Sequence, residues 1–566
     1  MSATRFLTLL LCLTSLLFYF YVFMPTVAYG FYGLPIVLML SVLPIFLYES
    51  NKSLKKNKFW FTFSTLVLLG SFLYGTVWAF FVTAPIFHAQ KYRNLIGQVD
   101  ESGIFANDIT PTPLDKIRIV DQYVAYRLGD KVLGAQPALG SQVYLGEFAL
   151  QKVGNDLFWI APLLHSGFFK WLNNREGTPG YVMVSASNER DVRFIQEIDK
   201  KPIRLRYQHE AYGFDQLERH LYFSGYMTRP LADYTFEVDD QFKPYWVATL
   251  YEKKIGFAGE DAIGVVTVDA QTGEINEYTI ENAPVWIDRI HPEDFIDDQL
   301  DDWGEYVKGF WNISNEGKLE VSQDLSLVYG NDERSYWYTG LTSVGADEGT
   351  VGFILCDTRT KKTKWYKQIG ATEQAARHSA MGKVQEKGYI ASDPIVYNIN
   401  NNATYVMSLK DQAGLVKMVA MVAVEDYSIV GVGNDLAEAL RAYRSALNAS
   451  GSNTTTTSNA QRFSIRSRIT RISDDVNSGN TYYYLMLENY GHKIFVGTSA
   501  VSPELTLSAI GDYVNISYED GSNPMVDIVA FDNENISPEK SENKKEIEAF
   551  QEEVDAQKKM NEIQKK

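Results

Sequence analysis

Between Arg5 and Glu49 the chain carries no charged side chain, and a second uncharged run fills residues 59–87. A helix of about 20 apolar residues crosses a bilayer. The first run is therefore long enough for two crossings, at residues 6–27 and 29–48 with a turn around 30–35, and the second run for a third. A cleaved signal peptide would be shorter and would not be followed by two more apolar runs. The loop before the third crossing reads "NKSLKKNK" and holds Lys52, Lys55, Lys56 and Lys58. Short Lys-rich loops stay in the cytoplasm, which puts this loop and the amino terminus inside and everything from about Lys91 outside. Lys91 and Arg93 on the outer flank count against that orientation. No Asp, Glu, Lys or Arg lies inside the three runs, so the usual marks of an ion or proton pathway are missing. The chain reads as an integral membrane protein. Residues 1–90 form an anchor of three transmembrane helices, embedded through residues 6–87, and carry a large extracytoplasmic domain, periplasmic or extracellular.

The formal net charge is -17. A nucleic-acid partner needs clustered Lys and Arg against its phosphates, and an anionic membrane surface needs the same, so the charge argues against both. Cys12 lies in an apolar run and Cys356 in a polar region, an implausible disulfide pair with no zinc-ligand spacing.

In the outer region one pattern recurs. "GYVMVSASNERDVRF" (180–194), "GVVTVDAQTGEINEY" (264–278) and "GFILCDTRTKKTKWY" (352–366) align without a gap. Gly180, Gly264 and Gly352 open the copies, Val184, Val268 and Cys356 share an apolar position, and Phe194, Tyr278 and Tyr366 close them. Upstream lie "FWIAPL" (158–163), "YWVATL" (245–250) and "YWYTGL" (336–341), which align Trp159, Trp246 and Trp337. A weaker fourth copy reads "YVMSL" (405–409) and then "AMVAVEDYSIV" (420–430).

A helical pattern precedes each pair of strands. Thr112-Pro113 reads as a helix start, with Ile117, Val120, Val124 and Leu128 on one face. Asp215 and Glu218 read as a capping box before Leu217 and Leu221. Ile296, Leu300, Trp303, Val307 and Phe310 form a third stripe, and Ala376, Ala380 and Val384 a fourth, closed by Gly388. A final helix, 435–448, carries Leu436, Leu440, Tyr443 and Leu447. A strand alternating with period two has one apolar face that must be covered, and each helix supplies a cover. The fold class is α+β: after the transmembrane helices come about four helix-plus-antiparallel-strand repeats, at 110–205, 206–285, 286–370 and 371–448.

The helix with its curled hairpins, and above all "VDAQTGE" at 268–274, resemble the PepSY domain and the wider cystatin-like fold, where a comparable Asp-x-x-Thr-Gly-Glu turn joins two strands. The stretch "CDTRTKK" (356–362) lacks the Gly-Glu, and "VSASNER" (184–190) lacks the Asp too. The resemblance covers about residues 180–430. It implies a non-catalytic extracytoplasmic module, tethered to the membrane and regulating an envelope enzyme, and it carries over no active-site residues.

"NASGSNTTTTSNA" (448–460) has nothing apolar to bury and reads as a linker over 449–460. Five strand-like segments follow within 461–533, the count and size of a small OB- or SH3-like β-barrel. Alternation buries at least one of Tyr482, Tyr483 and Tyr484. Residues 534–566 are Glu- and Lys-rich and read as a charged helical or disordered tail.

Candidate chemistry is sparse. The acidic stretch "HPEDFIDDQLDDWGE" (291–305) could attract calcium, but it lacks an EF-hand loop and its apolar stripe favours a solvated acidic helix. His165, His209, His220, His291, His378 and His492 show no metal-ligand spacing, and no phosphate loop or nucleophile elbow occurs. The three aligned Trp residues read as core rather than as ligand-stacking groups. No catalytic, cofactor-binding or metal residue is assigned, and no cofactor is expected. The expected function is a membrane-anchored extracytoplasmic scaffold or regulatory binding protein presenting its modules to a protein or envelope-polymer partner. A homo-oligomer is compatible with it. The alternative is an envelope hydrolase whose triad assembles only in space.

Overall fold

The computed structural model describes residues 3–50, 58–109, 111–330, 334–345, 349–399, 401–450, 462–477, 480–499, 501–519 and 525–536. Most of the Lys-rich loop (51–57), nearly all of the linker (451–460) and the tail from 537 lie outside the described residues.

The chain opens with helices Ala3–Phe23, Gly33–Ser50 and Lys58–Leu73, the last continuing through a π-helical turn, Tyr74–Trp78, into Ala79–Thr83. Gly33–Ser50 and Lys58–Thr83 are long and apolar enough to cross a membrane, and the first helix contains a shorter apolar stretch, Leu10–Phe23. The third run ends earlier than residue 87 because Pro85 opens a new helix, Pro85–Arg93. Leu13, Leu17, Leu66 and Phe72 are exposed, so these helices carry a broad apolar surface.

The rest of the molecule docks on the helix ends opposite Ser50 and Lys58. Val27 N donates to Met227 O (3.0 Å), the Tyr222 hydroxyl to Pro25 O (2.8 Å) and Phe257 N to Thr83 Oγ1 (2.9 Å).

Four larger antiparallel sheets follow. In the first, Val143–Leu145 and Ala149–Val153 pair with Asp156–His165, which pairs with Tyr181–Ser185 and that with Val192–Ile195. The second runs Leu231–Val238, Pro244–Ile255, Ala258–Asp269, Ile275–Thr279. The third sets Leu319–Val321 and Ser326–Tyr329 on Ser335–Ser343, then Gly352–Asp357 and Thr363–Tyr366, with Val99–Asp100 added in parallel at the edge. The fourth sets Ile390–Ala391 and Ile395–Ile399 on Asn402–Lys410, then Val416–Ala423 and Val430–Gly433. Helices Gln122–Gly134, Leu217–Phe223, Glu293–Glu305 and Glu373–Lys383 precede the four sheets in turn. Each helix joins the core of its own sheet: Val124 with Val184, Leu221 with Val268, Leu300 with Ile354, Ala380 with Val422.

One aromatic residue ties each sheet to the segment entering its helix. Trp159 pairs with Val184, Trp246 with Val268, Trp337 with Cys356 and Tyr405 with Val422. Their side chains donate to the carbonyls of Val120 (2.8 Å), Tyr207 (2.8 Å), His291 (2.9 Å) and Ala371 (3.1 Å), respectively. All four aromatics are buried, so these bonds satisfy polar atoms that water cannot reach. The strand-opening glycines sit where strands approach closely. A Cβ on Gly180, whose φ is 88°, would lie 1.9 Å from Ile195 O, and one on Gly352, at φ 153°, 2.2 Å from Tyr366 O.

Three sequence expectations are corrected here. The first helix begins at Gln122 rather than at Thr112: Asp121 caps it by accepting from Val124 N (2.8 Å), and Ile117 packs instead with Tyr443 and the fourth sheet. The second is capped by Gln216, which accepts from Arg219 N, while Asp215 pairs with Arg206. The residue pairing with Tyr181 is Ile195, not Phe194, because the first hairpin turn holds one residue more than the turns of the second and third sheets.

After the helix Leu436–Ala449, strands Arg462–Asn477, Asn480–Leu487, Ile494–Thr498, Tyr513–Glu519 and Met525–Asn533 close into a barrel. The first, second and third strands are neighbours, the third pairs in parallel with the fifth, and the fourth closes the ring against the first. Leu485, Phe495, Val514 and Ile516 fill its interior, and Tyr482 is the buried member of the tyrosine triplet.

Candidate functional site: a cavity among four sheets

A cavity of about 640 Å³ is walled by all four sheets. In each sheet the strand just before the Trp- or Tyr-bearing strand reaches it: Ala149 and Leu150, Ala232 to Phe236, Ser326 and Leu327, and Ile395. Trp159, Trp246 and Trp337 border it too. They are core residues, as expected, and each also forms part of the wall. Two helix-entry segments, Arg118 to Gln122 and Arg289 with Pro292 to Phe295, complete it.

Twisted antiparallel sheets packed side by side do not meet flush. The space between them is lined by polar groups. Arg118 crosses from the first sheet to the third, lying over the Trp159 ring (5.7 Å) and donating from Nη1 to Leu327 O (3.0 Å). Burial lowers its pKa. For Arg289 burial acts in the same sense, yet Asp233 and Glu237 outweigh it and hold the guanidinium above its ordinary value.

Asp233 and Glu293 of the lining, and Glu237 and Asp288 buried next to lining residues, are displaced upward. Enclosure raises Asp233, Asp294 adds to the shift, and Arg289 opposes it. Glu237 is pushed to about 8, chiefly by burial; its Oε1 accepts from Thr235 (3.0 Å) and its Oε2 has no partner. Asp288, which accepts from Lys152 N and the Tyr329 hydroxyl (both 2.8 Å), is raised by burial to about 6. Glu293, on the cavity wall, reaches about 7 through burial and repulsion from Asp294, Asp324 and Asp297. The lining holds Asp121, Glu147, Asp233, Glu293, Asp294 and Asp393 against Arg118, Arg289 and His209. Asp121 is paired with Lys410, and Asp393 with Arg377.

The acidic stretch at 291–305 is a helix, but it is half-buried rather than solvated. Burial and mutual repulsion raise Asp297 to about 6 and Asp302 to about 7. No group of three or more metal-ligating side chains occurs among the described residues. The histidines are dispersed. His209 borders the cavity, with Nδ1 2.5 Å from Glu218 and its ring edge-on to Trp246. His291 is buried behind the wall, where burial lowers its pKa to about 4. His165 is buried in the first sheet, and His220 bonds Gly273 O (2.8 Å). The polar residues of the hairpin turns serve the backbone. Asp269 Oδ1 accepts from Gln271 and Thr272 N–H, and Asp357 Oδ1 from Arg359 and Thr360 N–H.

Sequence reasoning missed Arg118, Asp233, Glu237, Asp288 and Arg289. Asp233, Thr235 and Glu237 alternate along one strand, a pattern that a water-facing strand shares. The available signal was Asp288-Arg289, a charge pair between Ile287 and Ile290.

No family model matches the chain, and no curated protein matches it. Among solved structures it is similar to the Bombyx mori GH32 beta-fructofuranosidase BmSUC1, at 10% identity over 72% of this chain and 70% of that one, with a TM-score of 0.18. It is also similar to a BT0996 complex with RGII, at 10% identity over 71% of this chain and 92% of that one, with a TM-score of 0.14. Likeness at that level carries no argument about fold or activity.

Proposed function

We propose that the protein is a membrane-anchored, extracytoplasmic binding protein whose central cavity receives a positively charged organic group of an envelope polymer or protein partner. The cavity carries the proposal: four sheets converge on one chamber in which carboxyl groups outnumber arginines. The anchor reading is supported by the two long apolar helices and by docking of the four-sheet region on the ends remote from Ser50 and Lys58. By the positive-inside argument, those remote ends face outside.

We further infer that the four helix-and-sheet units descend from one module of PepSY- or cystatin-like type. The shared register of Trp159, Trp246, Trp337 and Tyr405, and their matching bonds to the helix-entry segments, support this reading. The barrel's strand order, with its third and fifth strands parallel, supports an OB-like rather than SH3-like assignment.

One observation favours the hydrolase alternative. Glu293, with its pKa near 7, faces the same chamber as Asp294 and Asp233, and a protonated carboxyl beside an ionised one can act as an acid–base pair.

The test uses the full chain in lipid nanodiscs. Thermal stabilisation by polyamines or amino sugars, absent with neutral analogues and lost in Asp233→Asn and Glu293→Gln, is the expected result. Stabilisation that persists in both variants, or none with any amine, defeats the cavity reading. Turnover of glycoside or ester substrates that disappears in Glu293→Gln establishes the hydrolase instead.

A further inference from the structure

We propose that an aromatic face of the soluble region, formed by Phe168, Phe169, Leu172, Tyr212, Phe214 and Phe223, lies in the headgroup layer of the bilayer that the apolar helices cross. The proposal rests on the membrane reading above and adds a second, peripheral contact to it.

The face is continuous with the first apolar helix. The Phe214 ring lies 6.3 Å from Tyr21, in the last turn of Ala3–Phe23, and 5.7 Å from Phe223. Arg219 holds this junction in place, donating from Nε to Tyr21 O (3.1 Å) with its guanidinium 4.4 Å from the Tyr21 ring centroid. The Tyr222 bond to Pro25 O secures the chain just beyond the helix end. Phe214 therefore sits at the level where the helix leaves the apolar layer. From there the loop through Tyr212 leads to Phe168, 5.1 Å away, and to Trp171, 5.5 Å away. Trp171 is buried under this face, whereas Phe169 is 75% exposed and Phe214 61%.

The chemistry fits lipid better than another protein. Tyr concentrates at the membrane–water boundary, where its apolar ring and polar tip are both accommodated, and Phe and Leu make the apolar side that interfacial segments bury there. Lys170 and Arg175 lie at the rim, the latter over the Trp171 ring (4.7 Å), with stems long enough to reach phosphate oxygens. The net charge of -17 argues against attraction to anionic lipid, so the contact is made through rings and forms equally on zwitterionic bilayers.

The test labels the full chain at single cysteines, with Cys12 and Cys356 replaced, in phosphatidylcholine vesicles containing bromine-substituted acyl chains. Labels are placed at Phe169→Cys on the face, Leu69→Cys in the third apolar helix and Leu507→Cys on the barrel. All three side chains are exposed, so the substitutions leave the fold intact. The expected result is loss of most fluorescence at Leu69→Cys, roughly half at Phe169→Cys and none at Leu507→Cys. Quenching at Leu69→Cys without any at Phe169→Cys overturns the proposal and leaves the anchor standing. No quenching at Leu69→Cys overturns the membrane reading itself, and this proposal with it. A Phe169→Cys label protected from aqueous iodide yet untouched by bromolipid shows that protein, a partner or a second copy, covers the face instead.

Discussion

In the carboxyl-terminal barrel five strands close on themselves, and Leu485, Phe495, Val514 and Ile516 fill the interior. Between Val99 and Ala449 four open sheets stand against one another, and where one strand of each converges a chamber of about 640 Å³ remains. Both regions cover the apolar faces of antiparallel strands. Closure leaves a small barrel no unfilled interior. Open sheets need helices and neighbours as covers; Arg118, Asp233 and Arg289 line the junction they leave, Glu237 and Asp288 are buried next to lining residues, and all five have displaced pKa values. The barrel has its own core, and the bonds joining it to the preceding helix include Ser445 to Thr498 (2.7 Å) and Arg444 to Asp527 (3.7 Å). The two regions are therefore expected to unfold in separate transitions.

The largest effect that would separate them comes from the aromatic ties. Trp246→Ala removes a buried indole and leaves Tyr207 O without its donor, so it is expected to cost about 3–5 kcal/mol. Denaturant titration of the full chain, followed by hydrogen exchange, should show the loss in the four-sheet region with the barrel unchanged. Equal losses in both would mean that they fold as one unit.

A pH series sharpens the contrast. The pKa of Glu237 is raised from 4.5 to about 8 on folding. Its contribution is full below the unfolded value and is lost as pH rises through the folded one. From pH 5 to pH 9 the four-sheet region should lose on the order of 4 kcal/mol through this group. Glu237→Gln should flatten that slope, and a slope unchanged in the variant would show that another group is responsible. His291, lowered to about 4, acts in the opposite sense: its contribution is present above pH 6.5 and is lost as pH falls toward 4.

A smaller effect tests whether the fourth sheet uses the same tie as the other three. Tyr405→Phe keeps the ring and removes the bond to Ala371 O, for an expected loss of about 1 kcal/mol confined to the four-sheet transition. A neutral result would single out Tyr405 as filler. The smallest effect belongs to the barrel surface. Arg466 pairs with Glu534 through two 2.7 Å contacts in open water, and Arg466→Ala should leave both transitions where they were, at low and high salt alike. A salt-sensitive shift would show that the ion pair matters to closure.

Much of the framework was legible in local pattern. Uncharged runs marked the apolar helices, and aligned Gly and Trp positions marked the strands that pair. The helix Glu373–Lys383, with Thr372 as its cap and Gly388 left-handed after its closing turn, also follows local chemistry. Misreadings arose where two local signals competed. Thr112-Pro113 offered a plausible helix start, but Asp121 has the better cap and the intervening residues are drawn into other contacts, as Ile117 is against Tyr443. The ungapped alignment failed at Ile195 because turn length alters register without altering composition.

By itself the sequence determined the α+β class, the apolar amino-terminal helices and the strands whose alternation demands a cover, since each depends on residues near one another in the chain. Only the tertiary structure decided that one strand from each of four sheets lines a single chamber. It alone brought Asp233 and Glu237 of the second sheet within the field of Arg289, more than fifty residues away. A polar residue on one face of a strand reads the same whether that face meets bulk water or an enclosed cavity. The difference lies in desolvation, which depends on what other segments pack around it.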